Sequence, residues 1–531
     1  MQDSNKDKSC HPIIYVRGYA MSQSEIDETT SDPFNGFNIG SVTYRATPDP
    51  KKPPNKFIFE SPVVRLAKEY GYSTAFADGL DIVDTNFNND IQRKTIVVHR
   101  YYEEASSLFG DAAKKPIEHF ATRLSELVAR LRDLVAKGPD AVDPEKFKCY
   151  LVAHSMGGLI CRAFLQNPAL DTKKVAGCVD KFFTYATPHN GIDLGKFNVP
   201  GILGAFDINN FNRERMAEYL ALPESLKKSE RADWVPQNDL FPRKVFCMIG
   251  TNRADYKAAY GLSRTFVGDG SDGLVKIANA SVWGYAPKTG EKTGPAAKGY
   301  CYRSHSGWYG IVNSEESYQN LVRFLFGNVR VDVRVEITDV RLPAALASEK
   351  KPIDALYQFE TTIGLRGKPW FLTRRTAEED SAACRTHEEL KNSAPATGKT
   401  IDLCTVFMAN RYVMAGMNNF AYRMGLGIRV PDYTVDGVLW FDKHYEGGYL
   451  FRDAVISEIT PPAKPGDSWG VKFSWETQNA MAATRTAPLN NLSNGDAEIV
   501  LEFDSKSDDN SPSTPGIAGR VIFRVSQWNA S

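Results

Sequence analysis

The stretch from Phe147 to Leu165 constrains the fold more than any other part of the chain. Phe147 to Ala153 is a largely apolar run of strand length. It ends in Ala153-His154-Ser155-Met156-Gly157-Gly158, and Gly157 to Leu165 then reads as a helix. A serine on so sharp a strand-to-helix turn takes a strained backbone that lifts its hydroxyl clear of the sheet. The residues two before and two after it pass close to neighbouring backbone and must be small, as Ala153 and Gly157 are. Small residues at a turn of this kind can also serve packing alone.

The surrounding sequence repeats the same alternation. Pro12 to Val16 reads as a buried strand, followed by a polar, Pro-rich insertion over Ser22 to Pro54. Pro62 to Tyr70 reads as a helix, and Tyr72 to Ala77 and Thr95 to Arg100 as strands. Ile117, Phe120, Leu124, Leu127, Val128, Leu131 and Leu134 recur at helical spacing, and Gly138-Pro139 ends that helix. Lys181 to Ala186 and Val245 to Gly250 are further strands. Strands alternating with helices predict a mostly parallel sheet covered on both faces.

Near Phe326-Gly327 the pattern changes. Val329 to Ile337 alternates apolar and charged residues strictly, the mark of a half-buried strand. Val471/Phe473/Trp475, Ile499/Leu501/Phe503 and Val521/Phe523/Val525 repeat that period among Gly, Pro, Asn and Asp turns. The expectation is therefore an α/β domain over residues 1–327 and a mainly β domain, a sandwich, over 328–531.

Composition narrows the function classes. The 531 residues carry 64 Lys+Arg and 64 Asp+Glu, so no net charge marks a nucleic-acid partner. No apolar run is long enough to cross a bilayer. Met1 to Cys10 is polar and lacks a secretory h-region. The expectation is a soluble chain, either cytoplasmic or secreted as a trimmed or signal-less form. The eight cysteines form no CxxC pair and no metal-ligand spacing, so neither a metal nor a cofactor is expected. Cys384 and Cys404 either pair across a loop or stay as thiols; spacing does not decide it.

Serine is a weak nucleophile at neutral pH and needs a base. The strand-turn-helix around Ser155 resembles that of the α/β hydrolases, and the resemblance implies the chain order Ser, then acid, then His. After Ser155 the histidines are His189, His305, His387 and His444, the last two in the β domain. His305 follows the last strand candidate and precedes the helix near Glu315 to Phe326, where the base belongs. His189, in Thr187-Pro188-His189-Asn190-Gly191, precedes any plausible acid and reads as a residue that orders its loop. The segment Gly268-Asp269-Gly270-Ser271-Asp272-Gly273 supplies two carboxylates; Asp272 is preferred and Asp269 is the alternative. The oxyanion of an acyl-transfer intermediate needs two backbone N–H donors. Met156, after the serine, is one candidate. Tyr19, in Arg17-Gly18-Tyr19-Ala20 after the first strand, is the other.

These motifs together resemble the bacterial lipase group of α/β hydrolases, and also the lipases that deacylate glycosylphosphatidylinositol. The Ala153-to-Gly158 turn is similar to that of small Bacillus lipases, which also place Ala where most have Gly. Thr187-Pro188-His189-Asn190-Gly191 looks like the loop those lipases carry after the next strand. Ser271-Asp272-Gly273-Leu274-Val275 looks like their acid motif, and His305 matches their base by order and context. The resemblance covers residues 11–327 and implies an α/β-hydrolase fold with carboxylic-ester hydrolase activity. Two departures stand out. Arg17-Gly18 replaces the family's usual His-Gly, and Ser306-Gly307-Trp308-Tyr309 lacks the Asp that holds calcium in many secreted members.

An insertion between Gly191 and Pro242 lies where this fold often builds a lid. Within it Val199 to Phe206 is apolar with hinge-like residues. It reads as a lid over an acyl pocket or as a fixed cap. A lid points to lipid-like esters as substrates. Trp440, Tyr445, Trp469 and Trp528 would either dock a membrane surface, polymer or partner, or fill the β-domain core. Two other readings stay open: acyl transfer to an alcohol on the same three residues, and an inactive hydrolase domain used for binding.

Overall fold

In the computed structural model the described residues are 10–18, 41–45, 55–59, 61–77, 80–82, 86–99, 115–192, 211–228, 231–255, 270–307, 309–347, 352–365, 367–392, 399–413, 419–435, 443–462, 464, 467–478, 485–486, 489–505 and 515–529. They form two compact units. One comprises Met1–Lys298 with Arg303–Leu325, the other Gly299–Tyr302 with Phe326–Ser531.

The first unit is built on a central sheet. Its strands run in the order Ser73–Thr74, Thr95–His99, Ile13–Val16, Cys149–His154, Val179–Tyr185 and Val245–Gly250. The pairings from Ser73–Thr74 through Val245–Gly250 are all parallel. The central strands are apolar because both faces are covered: Ile13–Val16, Cys149–His154 and Val245–Gly250 are buried at every position. Helix Ile117–Val135 buries Ile117, Phe120, Leu124, Leu127, Val128, Leu131 and Leu134, the stripe read from the sequence. It packs on helix Met156–Gln166. Phe183 and Phe246 stack across adjacent strands at 4.9 Å between centroids, and Phe324 of helix Glu315–Phe326 closes on both. This is a mostly parallel α/β sheet with a strand-turn-helix at its centre.

The second unit holds two antiparallel sheets. One runs Thr400–Met408, Val329–Arg341, Gly516–Gln527, Ala497–Asp504 and Leu489–Asn491; the other runs Phe371–Arg375, Ile353–Leu365, Phe420–Val435, Lys443–Thr460, Gly470–Trp475 and Arg485–Thr486. In the first, Val329, Val331, Val333, Val335 and Ile337 all face inward. Phe503 meets Phe451 of the other sheet at 4.7 Å, and Phe523 meets Tyr422 at 6.2 Å. Inner faces that interlock in this way make a sandwich.

Two alternatives left open by the sequence are decided here. Cys384 and Cys404 are both free thiols, one exposed and one buried. Trp469 and Trp528 belong to the core rather than to a docking face. The Trp469 indole donates to the Gly495 carbonyl at 3.1 Å, and Trp528 packs on Phe407. Trp440 and the side chain of Tyr445 lie outside the described residues.

Candidate active site

Ser155 links strand Cys149–His154 to helix Met156–Gln166 with φ 51° and ψ −126°, in the left-handed region that non-glycine residues avoid. Its own backbone is held on both sides. The Ser155 N–H donates to the Tyr185 carbonyl at 2.9 Å, and its carbonyl accepts from the Gly158 N–H and the Thr187 hydroxyl, each at 3.0 Å. The small neighbours have steric causes. A Cβ on Gly157 would lie 2.4 Å from the Val16 carbonyl oxygen, and one on Gly158 would lie 2.1 Å from Thr187 Oγ1. Neither space admits a carbon.

His305 stands on a loop before the helix Glu315–Phe326, and its Nε2 is 2.8 Å from Ser155 Oγ. Its Nδ1 is 2.9 Å from Asp272 Oδ2. The other carboxylate oxygen, Oδ1, accepts from the N–H groups of Leu274 and Val275 at 3.0 and 2.8 Å. Asp272 also accepts at its backbone carbonyl from the His305 N–H, at 3.0 Å. Ser155, Asp272 and His305 are all buried. A carboxylate fixed in this way holds the proton on Nδ1 and leaves Nε2 free to accept from the serine hydroxyl.

Of the other residues named from the sequence, Met156 opens its helix, where the first N–H groups have no carbonyl within the helix to meet. Tyr19 and Asp269 lie outside the described residues, as do Val199 to Phe206. His189 orders its surroundings: its Nε2 lies 3.2 Å from Thr184 Oγ1 and 3.7 Å from Cys247 Sγ. Burial holds its imidazole well below the usual histidine range, with Arg162 adding to the effect. Among the described residues no group of three or more His, Cys, Asp or Glu side chains is placed to hold a metal ion.

Three contributors were not singled out from the sequence. Thr187 braces the Ser155 carbonyl, as given above. Arg162 is fully buried on the helix behind Ser155, and donates to the carbonyls of His189 and Ala232 at 2.8 and 2.7 Å and to Gln166 Oε1. It thereby ties the loop after one strand to the insertion. His154 places its Nε2 3.0 Å from the carbonyl oxygen of His305. No periodicity marks such residues, because their partners are backbone carbonyls from distant parts of the chain.

No protein-family model and no curated protein matches the sequence. Among solved structures, the chain is similar to phospholipase PlaB from Legionella pneumophila, at 14% identity over 82% of this chain and 90% of that one, with a TM-score of 0.31. The same enzyme in complex with thio-NAD matches at 14% identity over 82% of this chain and 89% of that one, with a TM-score of 0.29.

Proposed function

We propose that the chain is a carboxylic-ester hydrolase acting on lipid-like esters, with Ser155 as nucleophile, His305 as base and Asp272 as the acid that orients it. The observation that carries this reading is the continuous buried relay from Asp272 Oδ2 through both ring nitrogens of His305 to Ser155 Oγ, with steps of 2.9 and 2.8 Å. In the first half-reaction Ser155 Oγ attacks the ester carbonyl carbon while Nε2 takes its proton. His305 returns that proton to the leaving alkoxide, and an acyl-serine remains. Water, deprotonated by His305, then releases the acid and restores the serine. The N–H groups of Met156 and Tyr19 are the proposed donors to the tetrahedral oxyanion; losing such a donor costs roughly 3–4 kcal/mol.

The preference for lipid-like esters rests on the insertion. A Cβ on Gly191 would lie 2.5 Å from the Phe211 carbonyl oxygen, so the chain from Ile192 to Phe211 leaves and returns beside one point. That point is a few residues beyond Thr187, which touches Ser155. Between Gly191 and Phe211 in the sequence lies the run Val199 to Phe206, apolar throughout apart from its glycines, which supports an acyl ester as the substrate class. Residues 1–327 are the proposed catalytic domain, and 328–531 a separate β domain.

The test uses the purified chain on p-nitrophenyl esters of graded acyl length, beside Ser155→Ala. Hydrolysis that rises with chain length and vanishes in the variant is expected. Equal activity in parent and variant would overturn the reading. Added alcohol separates hydrolysis from acyl transfer: ester formation outpacing acid release would reassign the chain as an acyltransferase.

A further inference from the structure

His154 touches the machinery just described without belonging to its relay. It is the last residue of strand Cys149–His154, next to Ser155, and its ring is buried. Its Nε2 lies 3.0 Å from the His305 carbonyl oxygen, and the two imidazoles sit 5.2 Å apart, tilted by 38°. The pocket on the far side of the ring is shaped for it: a Cβ on Gly18 would come within 2.6 Å of His154 Nδ1. Glycine at position 18 therefore leaves room for this imidazole as well as for the turn after the first strand.

A carbonyl only accepts, so Nε2 of His154 must carry the proton. With that bond, the base-bearing residue is gripped at both ends of its backbone. The His305 N–H is held by Asp272 O at 3.0 Å, and its C=O by His154. The grip matters because His305 sits on a loop. Gly307, two residues on, has φ +90°, and among the described residues the β pairing of this loop is the isolated bridge between Ser304 and Gly310, with turn hydrogen bonds around it. No strand ladder fixes the distance from His305 to Ser155.

We infer that His154 is a positioning residue: its Nε2–H clamps the His305 carbonyl and locks the loop carrying the base to the turn carrying the nucleophile. The inference rests on the proposed roles of Ser155 and His305. It assigns to the residue preceding the serine a function beyond filling space. Alignment is what it supplies, and misplacing a reacting group by about 1 Å can cost roughly 100-fold in rate.

Three substitutions separate a clamp from a filler. Glutamine carries an amide nitrogen at the reach of imidazole Nε2, asparagine only at the reach of Nδ1, and phenylalanine keeps a ring but no donor. On p-nitrophenyl butyrate, His154→Phe and His154→Asn are expected to lower kcat about 10- to 100-fold with KM within about twofold. His154→Gln should recover most of that loss. The rate of Ser155 labelling by a fluorophosphonate should follow the same order, and thermal melts monitor folding. If His154→Phe does not fold, the contrast between Gln and Asn decides. Parental kcat in His154→Asn, or equal losses in Gln and Asn, would overturn the clamp. Failure of the underlying reading has a different signature: the parent itself would show no labelling and no Ser155-dependent hydrolysis, and the inference would fall with it.

Discussion

The Thr187 side chain fills the space that a Cβ on Gly158 would need, and from there its hydroxyl reaches the Ser155 carbonyl at 3.0 Å. The strained turn is thus braced from the loop after strand Val179–Tyr185, and one side chain does both jobs. The two positions are therefore expected to be coupled. Gly158→Ala alone should destabilise the protein by about 1–3 kcal/mol through overpacking. Thr187→Ala alone should cost about 1 kcal/mol for the lost hydrogen bond, with a further loss for the emptied space. The double variant should cost less than the sum, because removing Thr187 Oγ1 and Cγ2 relieves the two closest clashes and leaves only Thr187 Cβ, at 2.8 Å. Urea denaturation of the four proteins measures the coupling, and strict additivity would contradict it.

Asp272→Asn tests the orientation of the base more sharply than removal of the side chain would. Oδ1 of Asp272 accepts from two N–H groups, so the amide oxygen of an asparagine must occupy that place. Its NH2 group then faces His305 Nδ1 and can only donate. That forces the proton onto Nε2, where the ring can no longer accept from Ser155 Oγ. A fall in kcat of about 10³- to 10⁴-fold with little change in KM is expected. Steady-state kinetics at pH 8 check it, and a loss below tenfold would remove Asp272 from the proposed mechanism.

The parallel sheet was legible because strands buried on both faces must be apolar, and Val245–Gly250 matches the run read from the sequence. The relay was legible through order: His305 and Asp272 follow Ser155 where strand ends converge. Long strands of the β unit were less visible. Phe420–Val435 contains Gly425, Gly427 and Pro431, which argue against a strand when read locally. The structure supplies the reason for the glycines. Gly425 lies opposite Thr362 and Gly427 opposite Glu360, and a Cβ at either would come within 2.6 or 2.7 Å of that partner's side chain. Cross-strand packing of this kind has no signature in one strand alone. The same holds for Arg162 and His154, whose partners are carbonyls distant in sequence.

Acid should weaken the fold through histidines that are buried neutral. Burial keeps His189 well below the usual histidine range, and lowers His11 to about 4 against the opposing pull of Asp180. An unfolded histidine takes up its proton near pH 6.5. Between there and the folded values the unfolded chain binds more protons, so stability rises with pH. The contribution is complete above about pH 6.5 and is lost as pH falls towards 4. Each histidine contributes at most about 1.4 kcal/mol per pH unit. Urea midpoints at pH 7.5, 6 and 5 should fall in that order. His11→Gln should flatten the dependence; an unchanged slope would locate the proton uptake elsewhere.

Arg162 presents a sharper question of stability, because a guanidinium this deep is costly to bury. Its pKa is pushed down to about 10, chiefly by that burial. Its hydrogen bonds go to two carbonyls and a glutamine, while Asp233 acts on it through space rather than by direct contact. Replacing it with methionine removes the buried charge, a gain, but leaves the His189 and Ala232 carbonyls without these donors, a loss of roughly 1–3 kcal/mol each. The losses should win, since the arginine joins both carbonyls to helix Met156–Gln166 by charge-assisted bonds. Arg162→Met is expected to lose about 2–4 kcal/mol. Arg162→Lys, able to reach one carbonyl but not to span both, should lie between it and the parent. Hydrogen exchange would localise the effect. Faster exchange at the amides of Asn190 and Ala232, which meet the Asn279 carbonyl and the Asn190 side chain in the parent, is the expected trace. Loosening confined to the arginine's own helix would instead make it a packing element of that helix.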